Sequence, residues 1–214
     1  MTDDASLSSR QLAIGPVAAA AAAGNMTRLS PALAAGLDTG LTVNELKEVL
    51  VQLYAYAGFP RSLNALGEFM KVLDDRRKRG IDDPAGKSPG PLPPPSAMLD
   101  VGTVNQTKLT GAPVKGALFE FAPAVDQYLK SHLFGDIFTR DNLDWRSREL
   151  ATVAFLSSLD GVESQLLSHI RISLNVGLTT AQLKQYASAL SDRGEMQAAQ
   201  RLNGALEKLQ TASK

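Results

Sequence analysis

Apolar residues recur at intervals of three and four along most of the chain, the period that gathers them on one face of an α-helix. Between residues 42 and 57, Leu46, Val49, Leu50, Leu53 and Ala57 follow this spacing. Thr42 and Glu45 form a capping box at its start. Gly58 separates this helix from one beginning at Phe59-Pro60, with Leu63, Leu66, Met70 and Leu73 along one side. Upstream, residues 9–23 are helical by propensity, with an interruption expected at Gly15-Pro16. Residues 27–39 make a second helix, with Ser30 and Pro31 in its first turn and Gly40 at its end. Residues 1–8 are polar and are expected to fray.

The pattern lapses over residues 80–113, which are rich in Pro, Gly, Ser and Thr and read as a connector, either a linker or a long ordered loop, partly extended by its prolines. It resumes near residues 115–134, with an interruption at Pro123 and a stop at Gly135. Residues 145–177 read as two helices turning at Asp160-Gly161, with Asp144 as the N-cap. The first of these is apolar almost all round (Leu150, Val153, Ala154, Phe155, Leu156, Leu159) and should be deeply buried, within the chain or between subunits. Thr179 then caps a helix over residues 180–190, and a last helix spans 195–210. The expected fold is all-α.

Two stretches resemble each other. Ser9-Arg10-Gln11-Leu12-Ala13 matches Ser147-Arg148-Glu149-Leu150-Ala151, and Gly40-Leu41-Thr42 matches Gly177-Leu178-Thr179. The pairs lie 138 and 137 residues apart, so a one-residue indel aligns them. A duplicated three-helix unit is the simplest account.

Composition narrows the chemistry. The 22 Lys and Arg balance the 22 Asp and Glu, so nothing suggests nucleic-acid binding. The basic cluster Arg76–Arg79 follows Asp74-Asp75 at a helix end, where positive charge complements the helix dipole, and reads as a solvated terminus. There is no cysteine, which removes disulfides, thiolate nucleophiles and iron–sulfur clusters. With only His132 and His169, a zinc site is not expected, nor is any cofactor. No apolar run is long enough to span a bilayer. The Ala-rich run at residues 17–23 follows acidic Asp3 and Asp4 and reads as a packed helix, not a leader. A cytoplasmic location is expected. Gly86-Lys87-Ser88 lacks the upstream glycine of a phosphate loop.

Glu149 and the Gln165–His169 pair are the leading candidates for chemistry. Gln165 and His169 are four apart and share a helix face. In a hairpin turning near Gly161, Glu149 falls opposite Ser173, about 6 Å along the axis from His169. A buried carboxylate needs a partner, and His169, Arg10 or Arg148 could supply it. Trp145, Tyr54 and Tyr56 read as packing residues. His132 is a further candidate for lining a pocket. The first stretch has Gln11 where the second has Glu149, and Ala32 matches His169, so that half reads as scaffold.

The motifs SREL, QLLSHI and LNVGLT in the second half, with ELKEVLVQLYAYAGFPRSLNAL in the first and HLFGDIF after the connector, resemble the carboxymuconolactone decarboxylase family, which is related to alkylhydroperoxidase D. The resemblance implies two tandem repeats: residues 1–79, a Pro/Gly-rich connector at 80–114, and residues 115–214 carrying the site. In alkylhydroperoxidase D the second hairpin helix carries C-x-x-C-x-x-x-H. Counted back from His169, the cysteine positions fall on Val162 and Gln165, so thiol peroxidase chemistry is not expected.

The family reaction implies a cofactor-independent carboxy-lyase of aromatic-compound catabolism, acting on 4-carboxymuconolactone or a similar small lactone. His169 and Glu149 would be catalytic, and Gln165, Arg148, Arg10 and His132 would bind substrate, with Arg171 a further cation. The resemblance also implies a homotrimer with pseudo-sixfold symmetry. Two alternatives stand beside this reading: a lyase or isomerase of another lactone or oxo-acid, and a non-enzymatic helical scaffold.

Overall fold

Ser8 opens α1 (Ser9–Ala23) with a capping box, its hydroxyl accepting from the Gln11 amide while the Gln11 side chain reaches back to the Ser8 amide. Leu7 is buried, and its amide donates to Gln185 Oε1 at 2.8 Å. The chain is therefore packed before residue 9, contrary to the expected fraying. The computed structural model describes residues 6–212, and the part of that expectation falling on residues 1–5 lies outside the described residues.

The first half continues with α2 (Met26–Asp38), α3 (Val43–Gln52) and α4 (Tyr54–Lys78). Asn25 and Thr42 cap α2 and α3, the latter in the expected box with Glu45. Gly15-Pro16 does not interrupt α1. A Cβ on Gly15 would come within 3.0 Å of the Tyr186 ring, so glycine here serves close helix packing. Pro16 sits in a helix buried from Ile14 to Ala22, where tertiary packing outweighs the lost backbone bond. Gly58 has φ 81°, bending the chain just after the first turn of α4.

The connector is more ordered than its composition suggests. Its backbone crosses the start of α3, where the Val43 and Asn44 amides donate to Pro84 O and Ala85 O at 3.0 and 2.9 Å. Arg76, expected in a solvated cluster, is buried and bonds to Asp83 at 2.8 Å and Asp38 at 2.9 Å. Residues 98–110, where no periodicity was evident, form α5 (Met98–Thr110). Then come α6 (Ala117–Phe121), α7 (Pro123–Tyr128) and a π-helical segment, Leu129–Ile137, that runs through the expected stop at Gly135. Gly102 lets α5 lie against this segment: an added Cβ would sit 1.6 Å from Lys130 O. Gly102 permits this close approach, while Met98 and Leu109 are the buried apolar residues of the helix.

The second half comprises α8 (Trp145–Ser157), α9 (Glu163–Asn175), α10 (Thr180–Asp192) and α11 (Met196–Ala212). α8 is buried from Ser147 to Ser157 and lies against α1, so two helices buried on nearly every side form the centre. The main core draws on residues from both sides of the connector. A smaller cluster of Leu109, Leu133, Phe134, Ile137, Phe138 and Ile172 packs α5 and the π-helical segment onto α9. There is no strand, and no helix long and apolar enough to cross a membrane, among the described residues.

The two similar stretches adopt the same local geometry. Gly40 and Gly177 have φ 92° and 91°. The Leu41 amide donates to Gly36 O at 3.1 Å, and the Leu178 amide to Ser173 O at 3.0 Å. Capping boxes follow at Thr42 and Thr179.

Candidate functional site

Asp144 fixes the start of α8, accepting from the Ser147 amide at 3.0 Å and the Ser147 hydroxyl at 2.8 Å. One turn on, Glu149 is fully buried. The turn at Gly161 (φ 75°) returns the chain along α9, and His169 Nδ1 meets Glu149 Oε2 at 2.9 Å. Of the partners open to Glu149, the structure selects His169. Glu149 Oε1 and, further along α9, Ser173 Oγ are buried and have no protein hydrogen-bond partner. An ionised carboxylate accepts from Nδ1–H, which leaves Nε2 as the nitrogen that can exchange a proton. The His169 side chain retains 11% exposure, so the ring is covered but not sealed.

Tyr56, at the start of α4, places its ring edge-on to His169, with centroids 5.6 Å apart and planes at 77°. Burial, then the charge of Glu149, push the Tyr56 phenol well above its ordinary range, so it stays neutral. Its hydroxyl lies 3.4 Å from Thr152 Oγ1. Thr152 Oγ1 donates to Arg148 O at 2.9 Å and accepts from Gln52 Nε2 at 2.8 Å. The Tyr56 hydroxyl is then the donor in its bond to Thr152, since the threonine has only one proton to give.

This polar chain continues to a buried ion cluster. Arg148 is fully buried and donates to Gln52 Oε1 at 3.1 Å, Glu48 Oε2 at 3.0 Å and Arg140 O at 2.8 Å. Arg140 adds a two-pronged contact to Glu48, its Nε 2.9 Å from Oε2 and its Nη2 2.7 Å from Oε1. Burial alone would raise the Glu48 carboxyl; the bonds from Arg140 and Arg148 outweigh it and hold the group below its ordinary range. Burial depresses Arg148, and Glu48 partly restores it.

The other expected site residues lie apart from this pair. Arg148 turns away from Glu149 into the Glu48 cluster, because a fully buried guanidinium goes where a carboxylate and carbonyls satisfy it. Arg10 lies at the surface, 2.6 Å from Glu45. Arg171 is exposed and two residues beyond His169, roughly 200° around the helix. Gln165 is exposed on the His169 face, accepting from Ser164 Oγ at 2.9 Å. His132 borders a separate cavity of about 230 Å³ with Tyr54, Tyr128 and Leu129, its Nδ1 2.6 Å from Asp136. The two tyrosines read as packing residues thus divide their attention: Tyr54 lies 5.5 Å from the His132 ring and Tyr56 faces His169. Glu48, Gln52 and Tyr56 were not evident as site residues. Their one signal is the YAYAGFP motif, which puts two tyrosines just before the bend.

Helical hairpins that hold a buried carboxylate against an imidazole are the setting of the family resemblance, and comparison with known proteins bears on it. Residues 123–208 match the model of the carboxymuconolactone decarboxylase family. The matched stretch runs from the start of α7 into α11 of an all-α chain. It includes Glu149 and His169; Glu48, Gln52 and Tyr56 lie outside it. No match was found among the curated proteins compared with the chain. No group of His, Asp and Glu able to hold a metal ion occurs among the described residues.

Proposed function

We propose that this chain is a cofactor-independent decarboxylase of a small carboxylated lactone, of the 4-carboxymuconolactone type. The observation that carries this reading is the Glu149–His169 pair, buried in the family-matched stretch of a chain that has no cysteine for thiol chemistry. In such a substrate the leaving carboxylate is conjugated to the lactone carbonyl. The C–C bond to CO₂ breaks, and its electrons pass into the ring and onto the carbonyl oxygen. CO₂ departs, and protonation of a ring carbon restores the neutral product. His169 Nε2–H delivers that proton, with Glu149 stabilising the imidazolium beforehand, and the ring is reprotonated from solvent. No electron sink beyond the substrate is required.

Arg10, Arg148 and Arg171 are placed away from His169, so in this reading a cation for the substrate's carboxylates comes from a second copy of the chain. A trimer would also cover the exposed Phe121 (88%) and Tyr128 (66%), which lie in and just before the π-helical segment's approach through α6 and α7. Loss of 4-carboxymuconolactone absorbance with purified protein tests the activity. Replacing His169 by Ala should lower turnover by about 10²–10⁴-fold with the fold retained. Equal turnover in both proteins would remove His169 from the mechanism.

A second reading draws on how little of His169 is exposed: the pair then serves as an internal ion pair of a helical scaffold. Under that reading His169→Ala lowers the melting temperature, and lactone acids leave the wild-type melting temperature unchanged.

A further inference from the structure

A cavity of about 190 Å³ opens beside the first hairpin, bordered by Pro16, Arg28, Ala32, Arg193 and Glu195. Its residues have a specific relation to the His169 site. With the 137-residue offset that aligns Gly40 with Gly177, Ala32 matches His169, Arg28 matches Gln165, and Arg193 matches Tyr56. Tyr56 reaches His169 from the opposite half of the chain. Arg193 likewise borders the Ala32 cavity from the opposite half. The juxtaposition is reciprocal: each hairpin is closed by a residue that follows the other half's third helix.

The chemistry has been exchanged. Where the second hairpin presents an imidazole and a neutral phenol, the first leaves an alanine-sized gap flanked by two guanidinium groups. Arg193 is exposed and has no ion-pair partner among the described residues. Arg28 reaches Glu195 by one long contact of 3.4 Å and keeps its remaining donors free. Among the described residues Glu195 is the only acidic group bordering the cavity, against Arg28 and Arg193, so these groups sum to a net positive charge. Burial raises the Glu195 carboxyl, and Arg28 only partly offsets that, which weakens its competition with an incoming anion.

We propose that the cavity between Arg28, Ala32 and Arg193 is a binding site for a small organic carboxylate, a non-catalytic counterpart of the His169 site. Guanidinium groups from two helices would grip the carboxylate by charge-assisted hydrogen bonds, and the space left by Ala32 would take its carbon skeleton. Without an imidazole at position 32, the ligand is held and not turned over. This inference needs the reciprocal arrangement of the two halves but not the decarboxylase reading, and it concerns a different cavity.

The test is titration of the full-length protein with succinate, followed by backbone amide resonances. Saturable shifts are expected at residues 27–32 and 193–195, in the wild type and equally in His169→Ala. Arg193→Gln and Arg28→Gln should each weaken binding by about tenfold or more, since each removes charged hydrogen bonds. Both side chains are solvent-accessible, so both variants should fold. The proposal is overturned if succinate binds both variants as tightly as wild type, if the shifts lie elsewhere, or if chloride at equal ionic strength produces the same shifts. Loss of lactone decarboxylation with these shifts retained would sink the catalytic reading alone.

Discussion

The hairpins α1–α2 and α8–α9 open on the same Ser-Arg sequence, yet their arginines end in opposite environments. Arg10 remains at the surface and pairs with Glu45, 35 residues away in its own half. Arg148, at the matching position, is fully buried and pairs with Glu48, 100 residues away across the connector. Both hairpins start from a capped helix and end at a left-handed glycine. Local signals therefore set the frame of each, while a partner from the other half decides what each frame buries. The Glu149–His169 pair occurs where the partner is a polar ladder ending in Tyr56, and not where it is Arg193.

The sharpest way to break this contrast is to remove the two carboxylates in turn. Glu48→Gln leaves Arg148 and its charge buried with too few acceptors and should cost about 3–5 kcal/mol. Glu45→Gln preserves the capping box and loses only a surface pair, at most about 1 kcal/mol. Denaturant melts of both variants measure the difference, and equal losses would show that burial of Arg148 carries no special cost. The same variant has a pH signature. Because the folded-state Glu48 carboxyl lies below its ordinary value of 4.5, its contribution is complete above that value and is lost as pH falls through the depressed folded value. Wild-type stability should thus fall more steeply than that of Glu48→Gln below about pH 4.5.

The next contrast lies in the cover over each hairpin. α5 and the π-helical segment pack on α9, and this arrangement depends on Gly102. Gly102→Ala must move backbone, because Lys130 O lies 1.6 Å from the new Cβ position. The cost should be at least about 1–3 kcal/mol. Hydrogen exchange should show the loss concentrated in residues 98–137, with α1 and α2 unchanged. A uniform loss would mean that the cover is not an independent feature of the second hairpin.

Helix geometry and the turn at Gly161 bring His169 within about one turn of Glu149, but sequence left His169, Arg10 and Arg148 all open as its partner, and the fold makes the choice. The caps at Thr42, Asp144 and Thr179 follow from residue type alone, whereas Ser8 caps α1 from within the stretch expected to fray. What sequence did not yield was decided at long range. Nothing local tells a buried Arg148 to choose Glu48 over its neighbour Glu149, and Tyr56 looks like any aromatic at a helix end. The connector helix was missed for a related reason: it approaches its neighbour through Gly102 and buries few apolar side chains, Met98 and Leu109, too far apart to give a hydrophobic period. Arg76 reads as solvated because it belongs to a basic cluster at a helix end, while Asp83, seven residues on, draws it inward.

The smallest expected effect comes from giving the first hairpin the second's two residues. Gln11→Glu with Ala32→His restores both groups at matching positions, and a glutamate can replace Gln11 in the capping box with Ser8. Stability should change by no more than about 0.5 kcal/mol from the first substitution, which lies at a helix start. Even so, the pair should not become functional. An imidazole at position 32 would border Arg28 and Arg193, whose positive charges disfavour its protonation and bring its titration below about 6.5. It would also lack the edge contact that Tyr56 makes with His169. Introduced into His169→Ala, the two changes should therefore leave lactone turnover at the level of that background, and imidazole nitrogen shifts should show the new ring neutral near pH 7. Rescue of turnover would mean that the acid–base pair alone is sufficient, and that the opposite half adds only bulk to the site it closes.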